Sequence, residues 1–206
     1  MNKKTIKIYK RMGNYNHLRN RKGRIKPATE NHPIINLIRK KKLKFKNVLE
    51  IGCSTGFILQ KIYEITKADC YGIDISKKAI IEGKKLFKNI KLFYGFFESS
   101  NLKKKNYDLI ILGFFLFLLN PNNILNLFSK INNSIKPGGL LIIYDFYNKK
   151  FHKKNYKHEK KLSTYRYDYK NIFLSVPNYE LVYTKKIYNK KVKDYLEVSL
   201  LKKKKI

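Results

Sequence analysis

The sequence predicts an α/β domain in which a mostly parallel sheet carries helices on both faces and ends in an antiparallel hairpin. Three observations predict this fold. Apolar runs of strand length alternate with amphipathic helical segments between residues 47 and 146, the connections are short, and two further strand-like runs follow near the C-terminus. Such alternation produces a parallel sheet, because each helix returns the chain across it. The 206 residues suffice for one domain with its own core.

The predicted elements follow from hydrophobic periodicity and from capping residues. A short helix begins at Pro33, where its ring suits a first helical turn. Helices are then predicted after Gly56, after the N-cap Ser76 and from Asn120, the last ending at Pro137–Gly139. The predicted strands are 47–51, 70–75, 90–95, 107–113 and 140–146, with a hairpin of 179–187 and 195–201. Residues 1–30 and 147–178 lack a clear period, and the first of these segments is expected to be irregular.

Net charge is the most unusual feature of the composition. The formal charge is +33 at pH 7, and residues 1–46 and 149–206 together carry 34 basic residues but only six acidic ones. The segment between them is closer to balance, with 13 basic and eight acidic residues. Basic flanks favour an anionic partner through long-range attraction. Abundant lysine, asparagine and isoleucine are also what an AT-rich coding sequence produces, so both interpretations stand.

The composition argues against a membrane span, a metal site and a disulfide framework. The longest apolar run, 109–119, is interrupted by Gly113 and is shorter than the roughly 20 residues that cross a bilayer. Cys53 and Cys70 match no metal or redox spacing. Because no apolar segment follows the basic N-terminus, we expect no secretory signal and a cytoplasmic protein with reduced thiols.

One pair of strand ends carries the residues expected of a ligand site. Glu50 lies at the end of the first strand, and Gly52–Gly56 is a turn of small residues that opens a helix. Glycine lets a ligand approach the backbone, and free N–H groups at a helix start attract acceptor atoms. Asp74 ends the second strand, where a carboxylate can accept hydrogen bonds from both hydroxyls of a ribose. The pair predicts a nucleoside-containing cofactor, either a dinucleotide or S-adenosylmethionine.

At these residues the sequence resembles the class I S-adenosylmethionine-dependent methyltransferases, which have a Rossmann-like seven-stranded sheet. In that family the first strand ends in an acid, followed by Gly-x-Gly-x-Gly. The acid is Glu50 here, and Gly52, Ser54 and Gly56 occupy the glycine positions, so that serine replaces the middle glycine. An acid two residues before the first glycine favours this family over nicotinamide enzymes.

Further matches extend the resemblance to about residues 45–146. Residues 107–111 match the family's fourth strand, and 136–143 match the turn into the fifth. The hairpin matches its last two strands. After the third strand the family commonly places an aspartate beside the adenine, whereas this chain has Gly95-Phe96-Phe97-Glu98. Either Glu98 substitutes for that aspartate, or the backbone and one of the phenylalanines hold the adenine.

The resemblance implies S-adenosylmethionine as the cofactor and assigns residues to it. Gly52 and Gly56 would border its methionine moiety, Glu50 would support that loop, and Asp74 would hold the ribose. The full set of implied cofactor-binding residues is Glu50, Gly52, Cys53, Ser54, Gly56, Asp74, Ile75, Phe97, Glu98 and Gly113.

A single domain over residues 1–206 is expected, in four parts. These are a basic N-terminal arm and helix (1–45), a cofactor-binding core (46–146), a substrate or lid segment (147–178) and an edge hairpin (179–206). The lid segment follows the fifth strand, so it should lie over the cofactor.

A metal is not needed, because the sulfonium already makes the methyl group electrophilic. A general base helps when the acceptor is a hydroxyl; the candidates are His152, His158 and Tyr165, together with Tyr167.

Three hypotheses for the acceptor remain open at this point. The first is a small molecule or glycan, for which an anionic compound such as a phosphorylated sugar would reconcile size and charge. The second is RNA, bound by the basic flanks and by stacking on Tyr165, Tyr167 and Tyr169. The third is a non-catalytic partner subunit that binds the cofactor. Adenine amino groups and pyrimidine C5 are disfavoured, because Gly113–Leu116 replaces the Asn-Pro-Pro-Tyr motif and no cysteine is suitably placed.

Overall fold

The computed structural model of the chain describes residues 3–21, 31–104, 106–156, 158–159, 161–190 and 192–205, and divides into two compact units, 1–105 and 106–206. The first unit contains α1 (Lys3–Arg21), α2 (Pro33–Lys40), β1 (Asn47–Ile51), α3 (Phe57–Thr66), β2 (Asp69–Asp74), α4 (Lys77–Leu86) and β3 (Lys91–Tyr94). The second contains β4 (Tyr107–Gly113), α5 (Pro121–Ser134), β5 (Ile135–Phe146), β6 (His152–Asn155), β7 (Ser163–Arg166), α6 (Lys170–Leu174), β8 (Tyr179–Asn189) and β9 (Asp194–Lys203).

Seven of the strands form one sheet in the order β3-β2-β1-β4-β5-β9-β8, and β6 pairs with β7 in a separate two-stranded sheet. The pairs β1–β2, β2–β3 and β4–β5 are parallel, whereas β9 pairs antiparallel with both β5 and β8. The predicted Rossmann-like α/β fold with a C-terminal antiparallel hairpin is therefore confirmed. None of the helices in the described ranges is long and apolar enough to cross a membrane.

The parallel strands of the first unit are buried on both faces. Val48 and Leu49 of β1 are fully buried, although they point to opposite sides of the sheet. Leu59 and Ile62 of α3 are equally buried. Burial on both faces explains why these strands are continuous apolar runs and could be located from the sequence.

Helix α1 corrects the expectation for the N-terminal arm. The sequence predicts irregular structure for residues 1–30, yet Lys3–Arg21 form a 19-residue helix. The buried side chains of this helix include Tyr9, Met12 and His17, which do not form the apolar stripe that identifies a helix. Residues 1–2 and 22–30 of the predicted arm lie outside the described residues.

Strand β5 begins earlier than predicted. The sequence ends the preceding helix at Pro137–Gly139, but α5 ends at Ser134 and β5 starts at Ile135. The register against β4 jumps from Tyr107 opposite Ile135 to Leu109 opposite Leu140. The proline–glycine segment is therefore an irregularity inside the strand rather than a turn before it, and Gly138 adopts a φ of 77° there.

The lid segment, 147–178, contains β6, β7 and α6 and is anchored by a buried lysine. Lys170 Nζ donates to both carboxylate oxygens of Asp168, over 2.6 and 2.7 Å, and to Glu197 Oε1 of β9 over 2.9 Å. Lys170 is 9% exposed, so these carboxylates compensate a charge that would otherwise be buried alone. Because its elements are only four or five residues long, this segment shows no clear period in the sequence.

Candidate active site

The loop after β1 is held by backbone hydrogen bonds that require glycine. The N–H groups of Gly52 and Cys53 both donate to the carbonyl of Ile73 on β2, over 2.8 and 3.2 Å. Gly52 and Gly56 adopt φ values of 79° and 84°, in the left-handed region that glycine tolerates best. A Cβ added at Gly56 would also lie 2.7 Å from Ile90 Cδ1. The glycines therefore let the loop backbone lie close to β2, and Gly56 has no room for a side chain.

Asp74 joins this loop to the end of β2. Its Oδ2 accepts the N–H of Ser54 over 2.8 Å, and its Oδ1 accepts the N–H of Ser76 over 2.7 Å. Burial raises the pKa of Asp74, while these N–H groups act in the opposite direction. A carboxylate offers about four lone pairs, and the N–H of Ile75 also acts on this one, so capacity for a ligand hydroxyl remains. The hydroxyls of a ribose suit such an acceptor.

Glu50 is a buried acid in the same unit. It is 2% exposed, and its Oε2 has no hydrogen-bond partner among the described residues. Burial and the neighbouring Asp74 raise the pKa of Glu50 well above its usual value. Burial and the same two acids also raise the pKa of the Cys53 thiol. Burial thus disfavours the charged form of both groups, and Glu50 Oε2 is left without a hydrogen-bond partner among the described residues.

The residues after β3 lie close to the end of β2. Gly95 donates its N–H to the Asp74 carbonyl over 3.0 Å. No atom lies within 4 Å of a Cβ built on Gly95, which leaves room for a ligand. Phe97 is 1% exposed and belongs to the protein interior, whereas Glu98 is partly exposed. The half-buried Ile75 follows Asp74 directly. Of the alternatives for the adenine, Glu98, Phe96 and the backbone are the groups that a ligand can reach.

Helix α1 packs beside these residues, which the sequence did not predict. A Cβ built on Gly13 would lie 3.1 Å from Ile75 Cγ1, so only a small residue allows this approach. Asn14 Oδ1 accepts the Ser76 hydroxyl over 3.0 Å and the N–H of Lys78 over 3.1 Å. His17, which is 3% exposed, lies 3.1 Å from Glu82 of α4. The helix is thereby fixed next to the residue that follows Asp74.

The second unit has its own acid at a strand end. Asp145, near the end of β5, accepts the N–H of Leu116 over 2.9 Å and that of Phe146 over 2.7 Å. Burial raises the pKa of Asp145 to about 7, against the effect of these N–H groups. Gly113 ends β4, and Phe114 after it has a φ of 52° and donates its N–H to the Tyr144 carbonyl. Asp145 therefore fixes the loop that leaves β4.

Five aromatic residues surround this loop and are called the aromatic cluster below: Phe114, Phe117, Tyr144, Phe146 and Tyr156. The Phe114 ring lies 4.7 Å from that of Tyr144 and 5.7 Å from that of Phe146. The Phe117 ring lies 5.1 Å from Phe146 and 6.4 Å from Tyr156. All four contacts are edge-to-face, and Phe114 is 40% exposed. Such a cluster favours flat apolar ligands.

Comparison with known families assigns the chain. A family model described as a methyltransferase domain matches residues 42–198. The chain belongs to this methyltransferase family. It is a class I enzyme whose methyl donor is S-adenosylmethionine, as the motif around Gly52 and Asp74 implied. Among curated proteins, no relative of the methyltransferase is found.

Solved structures resemble the methyltransferase over most of its length. The 1,6-didemethyltoxoflavin-N1-methyltransferase of Burkholderia thailandensis, solved with 1,6-didemethyltoxoflavin and S-adenosylhomocysteine, has a TM-score of 0.76 at 10% identity, over 98% of this chain and 89% of that one. A methyltransferase of Methanosarcina mazei gives 0.66 at 16% identity, over 84% and 97%. The N-methyltransferase NodS of Bradyrhizobium japonicum gives 0.63 at 14% identity, over 85% and 99%. At these identities the likeness establishes the fold.

The first unit of the methyltransferase fits the donor on structural grounds. Asp74 is a partly buried carboxylate that can accept from ribose hydroxyls, and Glu50 Oε2 is buried without a partner among the described residues. Gly95 leaves open space next to the carbonyl of Asp74. These features suit the three parts of the donor as the sequence analysis assigned them. The ribose is expected at Asp74, the methionine moiety beside the loop that Glu50 supports, and the adenine next to the residues after β3. The individual contacts remain predictions.

The candidate bases of the methyltransferase lie together on the lid segment. His152 is on β6, and its Nε2 is buried without a hydrogen-bond partner among the described residues. Tyr165 is on β7, and its carbonyl accepts the Tyr169 hydroxyl. His158 follows β6, with its ring 5.2 Å from that of Tyr156. His152 and Tyr165 thus lie on adjacent strands but on opposite faces of the small sheet, because His152 is paired with Arg166 and Tyr165 with Lys153. His158 lies beside Tyr156 of the aromatic cluster.

Two residues of the second unit had weak signals in the sequence. Asp145 is the lone acid in the apolar run Ile142–Phe146, a pattern that could have marked it as a residue with a special role. Arg166 stands with its guanidinium 4.5 Å from the centre of the Phe146 ring and forms an ion pair with Asp194. The position of Arg166 next to the aromatic cluster could not be predicted, because the lid segment has no periodicity in the sequence.

Proposed function

We propose that the methyltransferase transfers a methyl group from S-adenosylmethionine to a small-molecule acceptor bound at the aromatic cluster. The observation that carries the proposal is the position of that cluster, at the carboxyl ends of β4 and β5, where open α/β sheets bind their ligands. The partly exposed ring of Phe114 offers a surface for a flat ligand. A structure with the same fold contains 1,6-didemethyltoxoflavin, which is a small molecule of this kind.

The residues of the first unit bind and orient the donor in this proposal. Asp74 accepts both ribose hydroxyls, the Gly52–Gly56 loop borders the methionine, and Glu50 supports the loop. When bound, the donor supplies an electrophilic methyl group. The acceptor's lone pair forms the new bond to carbon, the electrons of the broken C–S bond stay on sulfur, and S-adenosylhomocysteine is released. The protein contributes alignment and the exclusion of water.

A hydroxyl acceptor would also have to lose a proton. His152, His158 and Tyr165 are the proposed bases, because they lie on the lid segment that we expect to lie over the cofactor. His158 is in ring contact with a member of the aromatic cluster, Tyr156. A nitrogen acceptor with a free lone pair would not need any of them before the transfer, and its proton could leave to water afterwards.

The experiment is transfer of labelled methyl from S-adenosylmethionine into a crude bacterial extract, with and without ribonuclease treatment. The full-length chain is compared with Asp74→Asn and with Asp69→Asn, a control at the exposed start of the same strand. We expect label in the fraction that passes a small-pore filter, independent of ribonuclease and lost in Asp74→Asn alone. Label in a large, ribonuclease-sensitive fraction would instead establish RNA as the acceptor and the basic flanks as its binding surface. Label in an anionic sugar or a glycan would indicate that the basic flanks serve to bind that acceptor.

The cytoplasmic location expected from the sequence is part of the proposal. Cys53 and Cys70 are free and buried in the structure, so neither takes part in a disulfide. Fractionation of cells that express the chain would test this location directly.

A further inference from the structure

The two-stranded sheet of β6 and β7, called the β6–β7 ribbon below, packs against the loop that leaves β4. Strand β7 contacts the 3-10 turn Leu116–Leu118, whose N–H groups bind Asp145. Two strands of four residues are marginally stable on their own. The ribbon is also tied to β9 by the ion pair between Arg166 and Asp194, so opening it from the turn would break that contact.

Three polar atoms in and directly after the ribbon are buried and have no hydrogen-bond partner among the described residues. They are His152 Nε2, Arg166 Nε and the Tyr167 hydroxyl. His152 lies directly opposite Arg166 in the antiparallel pairing, so these two side chains share one face of the ribbon. Buried polar groups normally have partners, and leaving them without costs free energy. Three in one short stretch of chain indicate that a ligand supplies the missing hydrogen-bond partners.

The charge around Arg166 restricts what this ligand can be. The guanidinium lies over the Phe146 ring and forms an ion pair with Asp194, and Asp145 is close enough to act on it electrostatically. Its positive charge is thus already compensated, and Nε is a buried donor of this side chain without a partner among the described residues. An anionic ligand would be repelled by the carboxyl groups of Asp145 and Asp194. A neutral hydrogen-bond acceptor could bind the Nε–H group without that repulsion.

The aromatic cluster supplies the rest of the recognition. Phe146 carries Arg166 on one of its faces and contacts Phe114 and Phe117 by edge-to-face packing. A flat ring system against these side chains would bring a polar atom on its edge towards Arg166 and Tyr167. Tyr167 stands 6.0 Å from the Phe151 ring and is influenced by Asp145, so it belongs to the same region.

From this arrangement we infer that the acceptor is a neutral, planar heteroaromatic compound whose carbonyl oxygen or ring nitrogen accepts hydrogen bonds from Arg166 Nε and the Tyr167 hydroxyl. The inference rests on the proposed function and specifies its substrate class. Arg166 and Tyr167 are then specificity-determining residues, and the β6–β7 ribbon closes over the bound acceptor.

The test compares three probes by fluorescence titration of the full chain saturated with S-adenosylhomocysteine. Quinolin-2-one is neutral with a carbonyl, naphthalene has the same flat shape without an acceptor atom, and 2-naphthoate is an anion. We expect quinolin-2-one to bind at least about tenfold more tightly than either of the others, in line with a hydrogen bond from a charged donor. Tightest binding of 2-naphthoate, or equal binding of all three, would overturn the inference.

The decisive variant is Tyr167→Phe, because it removes a hydroxyl that has no partner in the described part of the chain. Its Tm should stay the same or rise, while its affinity for quinolin-2-one falls about 5- to 20-fold and that for naphthalene is unchanged. Tyr179→Phe is the matched control, since it removes another buried hydroxyl without a described partner, next to Phe128 and Phe173. That control should leave all three affinities unchanged. A lower Tm in Tyr167→Phe, with equal losses for all probes, would make the hydroxyl structural.

Binding of S-adenosylhomocysteine separates this inference from the proposed function. If the chain binds it and methylates small molecules but does not prefer quinolin-2-one, the substrate class is wrong and the function stands. If S-adenosylhomocysteine does not bind at all, the proposed function fails first.

Discussion

The backbone N–H of Ser54 donates to Asp74 Oδ2 over 2.8 Å, and this bond ties the glycine-containing loop after β1 to the end of β2. The two segments that the sequence assigns to the donor are therefore one hydrogen-bonded structure, although 20 residues separate them. A change at Asp74 should act on the loop as well as on the ribose.

Asp74→Asn should weaken the binding of S-adenosylhomocysteine by about 10- to 100-fold. An amide offers one accepting oxygen in place of two, so it must give up either a ribose hydroxyl or one of the N–H groups of Ser54 and Ser76. Isothermal titration calorimetry would measure the loss. Asp69→Asn, at the exposed start of the same strand, should bind normally. Equal affinities of the two variants would remove Asp74 from the donor site.

Glu50→Gln should separate donor binding from folding. Burial and Asp74 raise the pKa of Glu50 and so make its charged form costly, whereas glutamine has the same size and no charge. The free energy of unfolding at pH 7 should therefore be preserved or increased. Affinity for S-adenosylhomocysteine should fall by about 5- to 30-fold, the usual range for one hydrogen bond to a charged or strongly polar group. Glu64→Gln, at a side chain that is 49% exposed, is the control. A large loss of stability in Glu50→Gln would contradict this account.

Asn14→Ala should loosen α1. The side chain accepts hydrogen bonds from the Ser76 hydroxyl and the Lys78 N–H, so its loss should cost about 1–2 kcal/mol of docking free energy. Hydrogen exchange of the α1 amides should become faster. Affinity for S-adenosylhomocysteine should fall a few-fold, because α1 packs on the residues that follow Asp74. Leu18→Ala changes an exposed residue of the same helix and should alter neither the hydrogen exchange of α1 nor the affinity for S-adenosylhomocysteine. Unchanged exchange in Asn14→Ala would show that α1 is held by other contacts.

Asp145→Asn should change how stability depends on pH. The pKa of Asp145 is about 7 in the folded protein against an ordinary value of 3.8, so the folded state keeps a proton that the unfolded chain releases between these values. This group's contribution to stability is therefore complete below about pH 4 and is lost as the pH rises to about 7, by at most about 1.4 kcal/mol per pH unit.

Chemical denaturation of wild type and Asp145→Asn at pH 5, 6, 7 and 8 measures this effect. Other titrating groups cancel when one curve is subtracted from the other. The variant should gain stability relative to wild type from pH 5 to 7 and show a constant difference above that range. Parallel curves would mean that Asp145 is ionised throughout, stabilised by the N–H groups of Leu116 and Phe146.

The parts of the fold that the sequence predicted are those with a local signal. Strand β4 is apolar because both of its faces are buried, and its predicted bounds agree with the structure. Asp74 and the loop from Gly52 could be assigned because the family motif fixes their spacing.

What the sequence missed depends on contacts between distant residues. Helix α1 docks through Gly13, Asn14 and His17, none of which is apolar, onto residues more than 60 positions later. The β6–β7 ribbon is short, and its exposed lysines hide any alternation. The position of Arg166 over Phe146 is a tertiary contact with no trace in either segment.

Strand β9 lies between β5 and β8, with Leu196 to Lys202 paired along Phe146 to Leu140. During synthesis the apolar strand β5 therefore waits for about 50 further residues before its partner exists, roughly 3–10 s at ribosomal speed. For that time its backbone presents an open edge of the kind that seeds aggregation. A nascent chain stalled before Asp194 should be captured by chaperones, whereas one released after Lys203 should fold. The timing of translation, and not only the final sequence, then decides the yield of native enzyme.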